Sequence, residues 1–287
     1  MAHRGVLPVV AAVVLLAGCA GAQPAESPAP TAEEKVAGGG AETDPDDSHA
    51  EDTGEMVVSY EDATTPEAVN GRALLQDNAV LEDLADDVND SLWLPYDIPV
   101  IGAQCDEANA FWDPQEKSMT ICYEDADLSQ QIFRDAGDDD PDASAVNAEI
   151  ATFYHELGHM AIDLYDLPAT GREEDVADQL AAYVLLQPGE DGAPDPESVA
   201  AVKDFAREFG AYGLRRGEAG LDDFADVHSL SETRMFNLQC WIYGADPDAN
   251  ADLVASGELP EDRADGCDDE WAKLDRAWST LLEPHVR

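Results

Sequence analysis

The stretch FYHELGHMAIDL, residues 153–164, decides how the rest of the sequence is interpreted. His155 and His159 are four positions apart, and Glu156 directly follows the first of them. On a helix, residues i and i+4 stack on successive turns, so both imidazoles can reach one Zn²⁺ ion. Glu156 lies beside that ion, where it can accept a proton from an activated water. The pattern predicts a zinc-hydrolase active site; a solvated polar helix face and a chance match are the alternatives.

The residues around this motif predict a helix from about 143 to 167, ended by Pro168. The histidines lie opposite its apolar stripe, which argues against core histidines. Gly158 inside a helix costs about 1 kcal/mol relative to alanine. Its missing side chain therefore predicts the close approach of a neighbouring strand or helix. The apolar stripe consists of Val146, Ile150, Phe153, Leu157, Met160, Ala161 and Leu164.

A catalytic zinc site needs a third protein ligand and an open fourth position. We expect the ligand from a second helix, predicted at about residues 173–187. Glu174 and Asp178 share the face that carries small alanines, whereas Glu173 falls toward the bulkier face. We therefore predict Glu174 as the ligand and Asp178 as a carboxylate that holds an imidazole N–H. An acidic first turn, favoured by the helix dipole, explains Glu173 and Asp175 equally well.

The order HELGH followed by EEDVADQLAAYVLL resembles the gluzincin pattern of thermolysin-like peptidases. The interval from His159 to Glu174 is shorter than in thermolysin. It is similar to that of compact gluzincins such as the repressor-cleaving regulatory peptidases, whose second helix reads E-x-x-A-[ND]-x-x-A. Glu174, Ala177, Asp178 and Ala181 match that string. The resemblance implies a zinc ligand set of His155, His159 and Glu174.

Several further segments resemble a bacterial family of metallopeptidases of unknown function: CDEANAFWDPQEKSMTICYE, NLQCWIYGADP, RADGCDDEW and AWSTLLEPH. That resemblance covers most of residues 56–287. It implies an α+β, zincin-like fold in which a small, mainly antiparallel sheet packs on a helical body. In zincins an edge strand aligns the substrate, and we expect the strand around Met119–Tyr123 to do so. Thermolysin-like enzymes stabilise the oxyanion with a downstream histidine; His228 is the candidate, with a surface-loop or helix-entry position as the alternative.

Local patterns predict the remaining elements. MVVSY at 56–60 predicts a strand, residues 66–92 a helix, and ANAFWDPQEKSMTICYE a hairpin turning at Asp113-Pro114. A further helix begins at Pro196 with Asp195 as its cap, and others cover about 232–243 and 268–283.

Four cysteines follow Cys19: Cys105, Cys122, Cys240 and Cys267. An even number in an exported protein predicts two disulfides, and three pairings are open. Sequence proximity favours Cys105–Cys122 and Cys240–Cys267, each worth about 3 kcal/mol on the chain-entropy model. Zinc ligation by these cysteines is disfavoured because they form no C-x-x-C pair.

The N-terminal sequence MAHRGVLPVVAAVVLLAGCAGAQ predicts a targeting segment. Its apolar run is too short to span a bilayer as a mature helix. LAGC, ending at Cys19, resembles the lipobox of bacterial lipoproteins, in which the cysteine is lipidated. We expect residues 1–18 to be a signal peptide, residues 19–55 a disordered acidic, Pro-rich tether, and the mature chain a cell-envelope lipoprotein. An ordinary secretory signal is the alternative.

Sixty-three acidic residues oppose fifteen Lys and Arg, for a net charge of −48. Such a surface repels nucleic acid and anionic lipid, which excludes nucleic-acid partners. Adaptation for solubility or high salt is one explanation, and a preference for basic substrates is another. With 287 residues, the chain has room for one good-sized domain, predicted at 56–287, and we expect a monomer.

These patterns together predict an exported, lipid-anchored zinc metalloendopeptidase that cleaves a peptide or protein substrate with Glu156 as general base. Two alternatives stay open: a catalytically inactive zincin-fold lipoprotein that binds metal or peptide, and a structural envelope lipoprotein whose acidic surface is its function.

Overall fold

A computed structural model describes residues 54–189 and 192–287, which belong to one compact unit, Asp44–Arg287. The predicted signal peptide, Cys19 and the tether up to residue 53 lie outside the described residues. Within the described ranges, no helix combines the length and the apolar character needed to cross a bilayer.

The secondary structure combines a small sheet with many helices. The strands are β1 (Met56–Tyr60), β2 (Ile98–Ala103), β3 (Ala110–Asp113) and β4 (Ser118–Cys122). The helices are α1 (Pro66–Asp77), α2 (Val80–Ser91), α3 (Tyr123–Ala136), α4 (Pro141–Leu164), α5 (Glu173–Leu185), α6 (Pro196–Arg216), α7 (Leu221–Ala225), α8 (Ser231–Ala245), α9 (Ala251–Ala255), α10 (Glu261–Ala264) and α11 (Cys267–Leu282). A 3₁₀ turn follows at Glu283–His285. The predicted α+β class is confirmed.

The sheet is mixed, so the expectation of a mainly antiparallel sheet was wrong. Its strand order is β1-β2-β4-β3. β1 pairs parallel with β2, and β2 pairs parallel with β4; only β3 and β4 form the predicted antiparallel hairpin. Parallel neighbours need long crossover connections, and α1 and α2 make one between β1 and β2. Such distant pairing leaves no local signal, unlike the turn at Asp113-Pro114.

β4 lies inside the sheet, with β2 on one side and β3 on the other. All five of its residues are buried. The expectation that the strand around Met119–Tyr123 aligns the substrate was therefore wrong, because both of its hydrogen-bonding edges are occupied. β3 is the edge strand on that side of the sheet.

Two helical predictions changed on the N-terminal side. The predicted helix over 66–92 is broken between α1 and α2, where Ala79 adopts a left-handed conformation (φ 51°). α3 was not predicted at all. Its buried face carries polar residues, which conceal the apolar periodicity that normally reveals a helix. The buried polar residues of α3 are Asp125, Asp127, Ser129 and Gln130.

α4 runs through the middle of the helical body and contacts α3, α5 and α6. The predicted close approach at Gly158 is confirmed: a Cβ there would lie 2.7 Å from Cα of Ala177 on α5. α4 ends at Leu164, three residues before the predicted end, and α5 begins at Glu173 as expected. Small residues on both helices thus bring their backbones together beside the histidine motif.

The two predicted disulfides are confirmed. Cys105–Cys122 joins the segment after β2 to the end of β4, with a Cα–Cα distance of 5.5 Å. Cys240–Cys267 joins α8 to the start of α11, with a Cα–Cα distance of 5.2 Å. The predicted cap of α6 is also present, since Asp195 accepts hydrogen bonds from two backbone amides of the first turn.

Candidate metal centre

α4 and α5 together bring three donor side chains to one point. Nε2 of His155 lies 3.3 Å from Nε2 of His159, and the Glu174 Oε2 atom lies 3.3 Å and 3.5 Å from these nitrogens. Ligand atoms bound at about 2.0–2.1 Å around a tetrahedral Zn²⁺ are about 3.3 Å apart. The triangle therefore fits three ligands of one tetrahedral ion. Among the described residues, no other group of three His, Cys, Asp or Glu side chains meets such spacing.

Carboxylates hold the far nitrogen of each imidazole. Nδ1 of His155 lies 2.8 Å from Oδ1 of Asp178, as predicted for that residue's position. Nδ1 of His159 lies 2.9 Å from Oε1 of Glu173. The expectation that Glu173 points away from the site was therefore wrong. With Nδ1–H donating to a carboxylate, each Nε2 faces the common point, where it would bind a metal ion after giving up its proton.

Asp178 also binds Arg234 of α8. The sequence patterns did not predict that Arg234 belongs to the site. Nε and an Nη of Arg234 donate to the two Asp178 oxygens at 2.7 Å and 2.6 Å. Both residues are buried. Burial opposes ionisation of Asp178, but the charge and hydrogen bonds of Arg234 hold the pKa of Asp178 below its usual range. The fixed negative charge in turn orients the His155 ring.

The three imidazoles near Glu174 dominate its ionisation. Burial would raise the pKa of Glu174, but hydrogen bonds from His155, His159 and His228 hold it well below its usual range. Burial would lower the pKa of His159, but hydrogen bonds with Glu174 and Glu173 raise it to about 9. An anionic carboxylate and two imidazoles thus face a common point, which is the donor chemistry that Zn²⁺ prefers.

Glu156 lies next to the triangle but is not part of it. Its Oε1 atom is 4.0 Å from Nε2 of His155, while Oε2 accepts a hydrogen bond from the backbone amide of Trp112 at 2.9 Å. Burial raises the pKa of Glu156, and the neighbouring histidines partly offset this shift. The amide of β3 therefore fixes one oxygen of Glu156 and leaves the other beside the metal ligands.

The solvated-face alternative for the histidine motif is excluded. His155 is 6% exposed and Glu156 is 5% exposed, so the face opposite the apolar stripe is covered too. α5 and α6 pack against α4 and bury these polar groups. Helix periodicity gave the direction of the two histidines but could not show what covers them.

His228 also reaches the site, from the segment between α7 and α8. Its Nε2 lies 3.2 Å from Oε2 of Glu174, and its Nδ1 lies 2.8 Å from Oδ1 of Asp226. About half of the side chain is exposed. Arg172, just before α5, donates to the backbone carbonyls of Phe224, Asp226 and His228. Arg172 thus ties the His228 segment to the metal centre.

A cleft of about 1020 Å³ opens over these residues. β3 forms part of its wall. The carbonyl groups of Asn109 and Asp113 accept hydrogen bonds from backbone amides on the β4 side. Because backbone groups alternate in direction along a strand, the N–H and C=O groups of Ala110 and Trp112 point away from β4. The Trp112 amide reaches Glu156, which agrees with this direction. Ala110 therefore presents its N–H and C=O at the edge that borders the cleft.

With this geometry established, comparison with known proteins identifies the family. A family model described as "Putative metallopeptidase" matches residues 60–282. The chain belongs to this metallopeptidase family. Membership implies a metal ion, and the His155, His159 and Glu174 cluster lies inside the matched range. No curated protein and no solved structure matched in the corresponding comparisons.

The structure brings together all five site residues that were predicted on α4 and α5, and His228 lies beside them. The five residues are His155, Glu156, His159, Glu174 and Asp178. The roles of these residues remain predictions, as does lipidation at Cys19. The sequence patterns did not indicate Arg234, Glu173 or Trp112 as partners of site residues. A sequence signal exists only for Arg234. It shares an i, i+4, i+7 stripe on α8 with Leu238 and Trp241, and this spacing places the arginine on a buried helix face.

Proposed function

We propose that the protein is a zinc-dependent metallopeptidase that hydrolyses peptide bonds with Glu156 as general base. The observation that carries the proposal is the triangle of His155, His159 and Glu174 donor atoms, whose sides of 3.3–3.5 Å suit a tetrahedral zinc ion. These three residues would hold the ion. A bound zinc ion would lower the pKa of a water molecule and polarise the substrate carbonyl.

Glu156 would move the proton. Its raised pKa favours proton acceptance from the attacking water and later donation to the leaving amine. The Trp112 amide binds one oxygen, so the carboxylate does not need to reorient between these two steps. Because the Glu156 oxygens lie outside the donor triangle, the residue is free for this role.

The substrate backbone would add to the β3 edge. Peptides commonly bind by extending an exposed sheet edge, where main-chain hydrogen bonds supply affinity. Ala110 offers an N–H and a C=O in the direction of the cleft, two residues from the amide that holds Glu156. A strand paired there would bring its scissile bond beside the metal ligands.

His228 would stabilise the negative charge that develops on the carbonyl oxygen. The proximity of its Nε2 to Glu174 supports this role, and Asp226 on Nδ1 orients the ring. We expect His228→Gln to lower kcat about 10²–10³-fold with a smaller change in KM, as for loss of an oxyanion donor. Steady-state kinetics on a peptide substrate, with zinc content measured in parallel, test this; an unchanged kcat contradicts the role.

Export and lipid anchoring at Cys19 complete the proposal. The LAGC sequence supports lipidation, and two disulfides suit an oxidising compartment outside the cytoplasm. We expect Cys19→Ser to abolish fatty-acid labelling and to shift the protein from the membrane fraction to the soluble one. Equal membrane association of both proteins would contradict anchoring through this residue.

The decisive experiment combines metal analysis with Glu156→Gln. We expect one zinc ion per chain in both proteins, and a loss of peptide cleavage of about 10²–10⁴-fold in the variant. Glu218→Gln, at an exposed site, is the matched control and keeps full activity.

The other outcomes separate the alternatives. Bound zinc with full cleavage by Glu156→Gln means that the assigned base is wrong. Bound zinc with no cleavage across a broad peptide library favours the inactive metal- or peptide-binding lipoprotein. Absence of stoichiometric metal favours the structural lipoprotein.

A further inference from the structure

Beyond the metal centre the cleft continues into a pocket between α3, α4 and α6. We call this region the acid pocket; its residues are Asp125, Phe205, Glu208, Phe209 and Tyr212. The four residues from α6 follow an i, i+3, i+4, i+7 pattern, so they form one stripe facing the cleft. Asp125 of α3 faces the same space.

Two of the carboxylates in and behind this pocket have no hydrogen-bond partner. Asp125 is 9% exposed, lines the cleft and accepts no hydrogen bond from a described residue. Glu149 of α4 is 2% exposed, and both of its oxygens are buried without a donor. Glu208 accepts hydrogen bonds from Ser129 and Tyr212 only. Within the described ranges, no Lys or Arg forms an ion pair with any of these three acids.

The arginines that border the cleft form no hydrogen bond with the acids of the pocket, because their guanidinium groups are engaged elsewhere. Arg234 binds both oxygens of Asp178, and Arg172 binds backbone carbonyls. Burial raises the pKa values of Asp125, Glu149 and Glu208, so these groups tend to hold protons. Repulsion by neighbouring carboxylates adds to the shift of Asp125 and Glu149, whereas hydrogen bonds from Ser129 and Tyr212 and the charges of Arg234 and Arg215 partly offset the shift of Glu208. A cation that replaces these protons as the direct partner of the carboxylates would come from a ligand.

The pocket walls suit a cation on an apolar stem. The rings of Phe205 and Phe209 are 4.7 Å apart, and Tyr212 follows at 6.2 Å from Phe209. Phe205 also lies 6.3 Å from the His155 ring, so the aromatic row begins at the metal centre and ends beside Glu208. Aromatic faces attract cations and pack against methylene chains, as lysine and arginine side chains require. The Arg234 guanidinium already covers one face of Phe209, 3.9 Å from the ring centroid.

A bound metal ion explains the pocket less well. No three donor atoms of its acids lie within 4.8 Å of one another, in contrast to the metal centre. A guanidinium or ammonium group spans such wider spacing with several N–H donors. Asp125 is close enough to Glu156 for their charges to interact, so a group bound in the pocket lies near the reacting atoms.

We propose that the acid pocket binds a lysine or arginine side chain of the substrate, at a position flanking the scissile bond. The proposal rests on the proposed peptidase function and adds a specificity to it: the enzyme prefers basic residues next to the bond that it cleaves. Asp125 and Glu208 hold the cationic head, and the α6 aromatic row holds the stem.

The test uses peptides that differ only at the residues flanking the cleaved bond. We expect kcat/KM with arginine to exceed that with citrulline, its neutral analogue, by about 10–100-fold, and lysine to exceed norleucine similarly. Asp125→Asn lowers the kcat/KM ratios of arginine to citrulline and of lysine to norleucine by at least about tenfold. Asp139→Asn, an exposed change of the same kind, keeps the wild-type ratios. Glu208→Gln is the second variant if Asp125→Asn does not fold.

Equal cleavage of charged and neutral peptides, or ratios that Asp125→Asn leaves intact, overturns the proposal while the peptidase function stands. If no peptide is cleaved, the peptidase function fails. Calorimetry with butylguanidine then tests whether the acid pocket binds a cation. The pocket predicts that butylguanidine binds with proton release, seen as a dependence of the heat on buffer, that its neutral analogue butylurea does not bind, and that Asp125→Asn abolishes binding. No binding of butylguanidine, or binding of Ca²⁺ alone, overturns the assignment.

Discussion

Two sets of buried or half-buried carboxylates lie among the described residues, and they differ in whether a cationic side chain contacts them. The paired acids, Glu174 and Asp178, contact imidazoles or an arginine, and their pKa values are lowered. The other three acids form no ion pair with a described lysine, arginine or histidine, and we call them the unpaired acids; their pKa values are raised. They are Asp125, Glu149 and Glu208. Burial alone would raise all five. Among these five acids, the direction of the pKa shift follows the presence of a cationic partner. Asp204 shows that burial can also outweigh a partner, because it binds Arg207 at 2.6 Å and its pKa is raised by burial.

The difference matters for function. The paired acids carry fixed charge that orients two histidines and completes a donor set for a metal ion. The unpaired acids lack their counter-charge within the described chain, as expected of a site that receives it from a ligand. The paired and the unpaired acids are expected to change the stability of the fold in opposite directions as the pH falls. Substitution of one acid from each set tests this difference.

The largest effect is expected at Glu174. Glu174→Gln removes the anionic member of the donor triangle, so we expect zinc affinity and activity to fall by more than 100-fold. Glu173→Gln is the matched control at the next position, where only a hydrogen bond to His159 is altered; a loss of about 10–100-fold is expected there. Zinc titration with a competing chelator measures both. A larger loss of zinc affinity in Glu173→Gln than in Glu174→Gln would mean that Glu173 is the zinc ligand and Glu174 the partner of His159.

A smaller effect is expected at Asp178. Asp178→Asn leaves the buried Arg234 guanidinium uncompensated, and we expect a loss of about 3–5 kcal/mol in the free energy of unfolding. Because the folded pKa of Asp178 is lowered, its contribution is present above the unfolded value of about 3.9 and disappears as the pH falls through the folded value. Denaturant titrations at neutral and acid pH measure this. Equal stability at neutral pH would contradict the pairing.

The opposite sign is expected at Asp125. Its folded pKa is raised, so its stabilising contribution is present below the unfolded pKa and is lost as the pH rises through the folded pKa. Each unit between the two pKa values is worth about 1.4 kcal/mol. We expect Asp125→Asn to reduce the loss of stability between acid and neutral pH, and Asp139→Asn to leave it unchanged. Thermal melts across this range give the answer; parallel profiles for both variants would contradict the unpaired state of Asp125.

Sequence patterns predicted the elements that carry their own local signal. The α4 and α5 helices, the β3–β4 hairpin and both disulfides follow from periodicity, turn residues and proximity along the chain. The parallel pairing of β1, β2 and β4 depends on contacts distant in sequence, which no local pattern records. α3 was not predicted because its buried face mixes acids and amides with apolar residues, which interrupts the apolar pattern.

The same limit applies to the site. The spacing of His155, Glu156 and His159 predicts their common direction, and the alanine face of α5 singled out Glu174 and Asp178. Arg234, Trp112 and the acid pocket come from elements far away in the chain, and only packing brings them to α4. Local chemistry can therefore be inferred from spacing, whereas the partners that tune it depend on tertiary structure.

A zinc-edge anomalous diffraction map of the zinc-loaded protein tests the central claim most directly. We predict one peak at about 2.0–2.1 Å from Nε2 of His155, Nε2 of His159 and Oε2 of Glu174, with none among Asp125, Glu149 and Glu208. A peak among the unpaired acids, or none at the histidine triangle, would contradict the account.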